Sequence, residues 1–255
     1  MASKTEVLQQ LIEMSHWLGE EQRELVILGE GNTSAKINDN TFFVKASGTQ
    51  LGTISSAGFV EVRLPQILEM LEGPPLSDDE IKDGLKAAMV EPQFPYLPSV
   101  ETVLHAYLLS LPGVNFIGHT HPVSVNSILC AKGCKDIVKG RLFPDEIVCC
   151  GIAPAYVEYT DPGVPLARRL REVVRDYIQE HDTRPKAILM QNHGLIAVGS
   201  TAKEVQSITS MWDKTAKILA GTLRFGGPNY LTEANVIRLC TRPDEDQRIK
   251  LIEGK

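Results

Sequence analysis

The chain has 255 residues, with 26 Lys and Arg against 32 Asp and Glu, a net charge of −6, and 43% hydrophobic to 23% charged side chains. That balance belongs to a globular protein able to bury one large core or two small ones. It argues against nucleic-acid binding, because no basic run or clustered basic footprint stands out, and against membrane insertion, because no apolar run approaches the roughly 18 residues of a spanning helix.

In chain order, the first stretch, MASKTEVLQQLIEMSHWLGEE, has no apolar signal core or small-residue cleavage site, so no secretion signal is expected. Within it Val7, Leu8, Leu11, Ile12 and Leu18 recur at helical spacing. GEGNTSAKI then reads as a Gly-rich turn entering a strand, and TFFVKASG as a second strand ended by Ser47 and Gly48. RLPQILEMLEG and SDDEIKDGLKAAMV read as helices, the latter with Ser77 and Glu80 at capping-box spacing.

The Pro-rich EPQFPYLPSVE is a loop, and SVETVLHAYLLSLPG a helix presenting Val100, Val103, Leu104, Tyr107, Leu108 and Leu111 on one apolar face. VNFIGHTH is a strand, PVSVNSILCAKG a helix, IVCCGIAPAYVEY one or two strands, and PLARRLREVVRDYIQEH an amphipathic helix. KAILMQNHGLIAVG is a pair of strands broken at Asn192-His193-Gly194, and AKEVQSITSMWDKTAKILAG a long helix. Strands and helices interleave without repeats or a low-complexity linker, which implies one α/β domain over 1–255 with a mixed, mainly antiparallel sheet. The five cysteines, Cys130, Cys134, Cys149, Cys150 and Cys240, form no CxxC pair, so reduced thiols and a cytoplasmic location are expected.

Chemistry enters at GHTHP. Side chains two apart on a strand share a face, so His119 and His121 present two imidazoles side by side, which suits a divalent transition metal. Alone, the pair is equally that of two satisfied histidines near a strand end. His193 stands in a turn, where functional side chains are common, and Glu101 stands at the start of a helix, where a carboxylate also serves the helix dipole. Three imidazoles and one carboxylate together make a four-ligand set for zinc or a similar cation. His105, one helical turn after Glu101, reads as a packing or supporting histidine. His16 and His181 read as surface residues and Lys45 as a surface or pocket-rim charge.

GEGNTSAKI, VKASGTQL, LPSVETVLHAYLLSLPGVNFIGHTHP, YTDPGVPLA and QNHGLIAVG, in this order, resemble the class II aldolase/adducin family, which includes fuculose- and rhamnulose-phosphate aldolases and ribulose-phosphate 4-epimerase. The resemblance implies a three-layer α/β/α fold around a mainly antiparallel sheet, and a homotetramer with active sites between subunits. It implies His119, His121, His193 and Glu101 as ligands of Zn2+ or another divalent metal such as Co2+ or Mn2+, with Glu101 also moving protons. Gly31, Asn32, Ser47, Gly48 and Ser99 match phosphate-cradling positions, where turn N–H groups form an anion nest. One departure is Val100, because sugar-phosphate members commonly carry a second serine there; Val100 donates no hydrogen bond.

The expected activity is metal-dependent aldol cleavage of a ketose or ketose phosphate into a dihydroxyacetone-type fragment and an aldehyde, the cation acting as a Lewis acid for the enediolate. A second acid/base group serves the released aldehyde oxygen; in the family it comes from an adjacent subunit, and Asp145 and Tyr230 are the candidates. A decarboxylase of the same fold, a sugar-phosphate 4-epimerase and a non-catalytic adducin-like module are the alternatives. Glu101 counts against the epimerase, whose members resemble the Asp form of the motif.

Overall fold

Residues 3–242 are described by a computed structural model. The strands are β1 Asn32–Lys36, β2 Thr41–Lys45, β3 Phe59–Arg63, β4 Phe116–Thr120, β5 Ala155–Val157, β6 Ala187–Met190 and β7 Gly194–Gly199. The helices are α1 Lys4–Leu18, α2 Leu64–Glu69, α3 Asp78–Ala87, α4 Thr102–Ser110, α5 Val123–Leu129, α6 Cys134–Val138, α7 Pro144–Cys150, α8 Val164–His181, α9 Ala202–Thr222 and α10 Glu233–Cys240. The strands form one sheet in the order β3-β2-β1-β4-β7-β6-β5. Only β5 and β6 pair in parallel, so the sheet is mixed and mainly antiparallel as expected.

Both faces of the sheet are buried, and alternation along each strand divides the side chains between two cores. In β7, Ile196 and Val198 enter one core and Leu195 and Ala197 the other; β2 splits Phe42 and Val44 from Phe43 in the same way. Residues of α2, α4 and α8 fill the first core, while α1, α5, α7 and α9 fill the second. The layers are therefore α/β/α. Among the described residues no helix is long and apolar enough to cross a membrane.

Several local readings change. IVCCGIAPAYVEY divides, its first half finishing α7 and only Ala155–Val157 forming a strand. Pro144 in the first turn starts that helix, and Glu146 anchors it by accepting from the Leu142 N–H and the buried Arg141 guanidinium, each at 2.8 Å. Val100 lies outside α4 and is 55% exposed, whereas α4 is buried on every side between sheet and helices, so it has no polar face. FVEVR forms β3, a strand absent from the sequence reading, and α6 and α10 are likewise additional. His181 is partly buried with its ring 4.4 Å from that of Tyr177, a packing role in place of a surface one.

The register gathers strand ends at one end of the sheet. Asn32 opens β1 opposite His119 near the end of β4, and Thr120 pairs with Leu195 at the start of β7. Gly31 makes the entry possible: its φ is +67°, and an added Cβ would lie 2.6 Å from the His119 carbonyl oxygen. Gly31→Ala is therefore expected to cost about 1–3 kcal/mol in backbone strain alone, read as a lower urea midpoint. An unchanged midpoint would show that β1 enters the sheet with slack at this point.

Candidate metal centre

His119 and His121 descend from β4 onto the face covered by α4, as their two-residue spacing requires. The β6–β7 hairpin brings the third imidazole. Its three-residue loop, 191–193, turns on Asn192 at φ 53°, a left-handed conformation that Asn tolerates. Asn126 of α5 holds this loop by donating to the His193 carbonyl at 3.0 Å. Gly194 follows because the hairpin lies directly against the other rings. A Cβ there would stand 2.7 Å from His121 Cδ2 and 2.5 Å from the Thr120 carbonyl oxygen.

The three rings converge through Nε2. His119 Nε2 is 3.0 Å from His121 Nε2 and 3.2 Å from His193 Nε2. Tetrahedral ligation at about 2.0–2.1 Å per nitrogen separates ligand nitrogens by about 3.3–3.4 Å, so His119 already stands near that spacing from each of the other two rings. Glu101 completes the group from the N-terminal cap position of α4, just ahead of the first turn in which it was expected. Its Oε1 is 3.3 Å from His193 Nε2 and its Oε2 is 3.4 Å from His119 Nε2. The carboxylate makes no capping hydrogen bond and turns toward the imidazoles instead.

The charge states suit a metal. Burial holds His119 down to about 3, reinforced by His193 and Lys45. Burial and the neighbouring His119 and His193 hold His121 at about 4. Neutral imidazole is the ligating form, and the His119 Nδ1–H donates to the Leu195 carbonyl at 3.1 Å, leaving Nε2 as the free lone pair. Three such nitrogens cannot all satisfy one another, and Glu101 Oε1 is buried without a hydrogen-bond partner. The donor set fits a zinc-type divalent cation, which would be held by His119, His121, His193 and Glu101.

The anion-cradle candidates also meet here. A bridge between Ala46 and Pro98 lays the exposed Ser47–Gly48 turn beside Ser99. The Ser47 N–H is committed to the Leu97 carbonyl at 2.9 Å. Ser99 Oγ accepts from the Glu101 N–H at 3.3 Å and from Asn32 Nδ2 at 3.4 Å. Asn32 Nδ2 gives its shorter hydrogen bond, 2.7 Å, to Glu101 Oε2, so this side chain faces the carboxylate.

Lys45 corrects the sequence reading. It is 3% exposed, and its Nζ donates to the Gly29 carbonyl at 3.2 Å, so it is a buried cation and no surface charge. Burial lowers its pKa and the Glu101 charge opposes that shift. Its position next to the Ser47–Gly48 turn was the available signal, but strand alternation says nothing about the 27–30 segment that folds over it. Glu30 was also unforeseen; its Oε1 is 3.8 Å from His121 Nδ1. Tyr230 donates its hydroxyl to the Ile137 carbonyl at 2.5 Å, and Asp145 stands in the first turn of α7. Neither belongs to the histidine cluster of its own chain.

Two outcomes follow from this geometry. His193→Ala is expected to abolish tight Zn2+ binding in a competition titration; retained affinity would remove that ring from the ligand set. In metal-free protein, His105 and His119 titrate near 3 and His121 near 4, against about 6.5 when unfolded. The unfolded chain takes up these protons first, so stability is full above about pH 6.5 and falls as pH drops toward 4 and then 3. Urea midpoints that stay level across that window would contradict the burial argument.

Comparison with known proteins identifies the family. Residues 9–220 match the family described as Class II Aldolase and Adducin N-terminal domain. The uncharacterized oxidoreductase YuxG of Bacillus subtilis is 29% identical over 88% of this chain, which spans only 32% of YuxG. A 3-oxo-tetronate 4-phosphate decarboxylase of Haemophilus influenzae is 25% identical over 87% of this chain and 90% of its own length. A methylthioribulose-1-phosphate dehydratase of Bacillus subtilis is 26% identical over 84% and 91%. The N-terminal class II aldolase domain of a conserved Thermoplasma acidophilum protein superposes with a TM-score of 0.64 at 29% identity, covering 84% of this chain and 95% of that one. L-fuculose-1-phosphate aldolase from Thermus thermophilus shares the fold at 19% identity, with a TM-score of 0.61 over 89% of this chain and 100% of the other. The chain belongs to the class II aldolase and adducin family, which includes metal-dependent lyases.

Proposed function

We propose that the protein is a metal-dependent lyase for a small anionic, polyhydroxylated carbonyl compound, and that its reaction is aldol cleavage of a ketose or ketose phosphate. The observation that carries the reading is the convergence of His121 and His193 Nε2 on His119 Nε2, at 3.0 and 3.2 Å, with Glu101 oxygens 3.4 Å from His119 Nε2 and 3.3 Å from His193 Nε2. A bound Zn2+, Co2+ or Mn2+ supplies Lewis-acid stabilisation of the electron-rich oxygen pair of the substrate, worth several kcal/mol. Glu101 moves the proton. Its Oε1 accepts no hydrogen bond from the protein and so is available to hold a proton and give it to the carbon left electron-rich by bond cleavage.

Lys45 is the reason to expect an anionic substrate, since a buried cation at the end of β2 borders the Ser47–Gly48 turn and Ser99. Phosphate is one such group, and the names of both relatives that match nearly end to end contain a phosphate. The proton of the released aldehyde oxygen needs a second group, which we place on a neighbouring copy, with Asp145 and Tyr230 as candidates. Ile27, Leu28 and Val123, exposed by 63, 75 and 61%, suit a covering copy, and a homotetramer in the cytoplasm is the assembly we favour.

Val100 favours a second reading. Half exposed and without a hydroxyl, it removes one phosphate contact expected of an aldolase. Decarboxylation needs the same proton chemistry, and the Haemophilus influenzae relative is named for it.

A panel of ketose phosphates scored for aldehyde, and of 3-oxo acids scored for CO2, separates the readings. Turnover on the productive arm is expected to vanish with a strong chelator and return with Zn2+ or Co2+. Glu101→Gln is expected to lower kcat by about 10²–10⁴-fold; full turnover in that variant, or in chelated enzyme, would refute the lyase reading. Lys45→Met is expected to raise KM by roughly tenfold or more for the phosphorylated substrate, and no change would remove Lys45 from anion binding.

A further inference from the structure

The buried network behind Glu101 has a single self-consistent direction. Ser34 and Asn32 of β1 face His105 of α4, and Ser34 Oγ lies 2.6 Å from His105 Nδ1. His105 Nε2 meets Asn32 Oδ1, and Asn32 Nδ2 donates to Glu101 Oε2 at 2.7 Å. Turning the carboxamide over would set its carbonyl oxygen against the carboxylate, two acceptors with no hydrogen between them. With Nδ2 committed to Glu101, Oδ1 needs a hydrogen from His105 Nε2. A neutral imidazole carries one ring hydrogen, so Nδ1 is then the acceptor and the Ser34 hydroxyl its donor. Ser34 and His105 are fully buried and Asn32 is 4% exposed, so a broken link leaves a polar atom stranded.

We propose that Ser34 and His105 are positioning residues that fix the Asn32 carboxamide, tie down Oε2 of Glu101 and leave Oε1 to carry the transferred proton. Oε2 already accepts a hydrogen from Asn32 and is the less basic oxygen; Oε1 accepts none and faces His193 Nε2 at 3.3 Å. The inference rests on the lyase reading, in which Glu101 moves the proton, and deepens it by naming the oxygen and the groups that select it. His105 touches no substrate in this scheme. It acts through Asn32.

The tautomer is the direct readout, taken from ¹⁵N spectra of histidine-labelled, metal-free wild-type protein. The neutral Nε2–H form of His105 is expected, and the Nδ1–H form overturns the proposal. In turnover, His105→Leu is expected to lower kcat by about 10–100-fold with KM and bound metal unchanged. His105→Gln can present an amide hydrogen near the place of Nε2–H and is expected to recover most of that loss; equal loss in both variants overturns the proposal. Glu101→Gln, assayed alongside, separates the failures. Its full turnover overturns the lyase reading and the proposal with it, whereas an inactive Glu101→Gln beside a fully active His105→Leu overturns the proposal alone.

Discussion

Three imidazoles and a carboxylate packed at the end of an apolar sheet are the constraint to which the surrounding structure answers. Placing such groups out of water costs free energy unless each finds a partner. Here the partners come in layers: the Leu195 carbonyl takes the His119 Nδ1–H, and Asn32 holds one oxygen of Glu101. The three Nε2 lone pairs and Glu101 Oε1 remain. A cation would meet the three nitrogens together, with the Glu101 carboxylate beside it. The ligand atoms are thereby arranged before anything binds, which lowers the ordering cost of binding.

The antiparallel register is what makes this gathering possible from distant stretches of chain. Because β1 runs against β4 and β4 against β7, the start of β1, the end of β4 and the start of β7 fall at the same end of the sheet. Helix α4 packs on that face, so its N-terminal end carries Glu101 to the histidines while His105, one turn on, reaches β1. Glu101 and His105 are thus set by one helix against one strand. A one-residue slip of β1 would turn both Asn32 and Ser34 to the opposite face.

How much of this was legible in the sequence depended on whether the signal was local. His119 and His121 were legible because a strand fixes the direction of side chains two apart, and His193 because an Asn-His-Gly break between apolar runs marks a tight hairpin. The strands of the sheet core were readable by their apolar runs, whereas FVEVR, with alternating charges, was passed over although it forms β3. Lys45 was misread for a non-local reason. Its position at the end of β2 was legible, but its burial comes from segment 27–30, whose Gly29 carbonyl accepts its hydrogen bond. Asn32 was assigned to an anion by resemblance, and its partner proved to be Glu101, a choice settled by α4 docking on β1. The helical half of IVCCGIAPAYVEY was hidden likewise, because its anchor is the buried Arg141–Glu146 pair.

Lys45 also bears on which substrates the centre accepts. With His119 and His121 neutral, the charged side chains at the site are Lys45, Glu101 and Glu30, one positive and two negative. A divalent cation added to them would leave an excess of one positive charge, in surroundings where burial weakens solvent screening. An uncharged polyol answers only half of such a site, through its oxygen pair. A substrate with a phosphate or carboxylate at its far end answers both, one end at the imidazoles and the other near Lys45 and the Ser47–Gly48 turn. Val100 then limits how that far end is held, because it offers an apolar side chain where a second hydroxyl would have completed the cradle. An anion at that end would be bound more by charge than by a closed ring of donors, a mode that tolerates different anionic groups; the relatives named above as a decarboxylase and a dehydratase both carry a phosphate in their names.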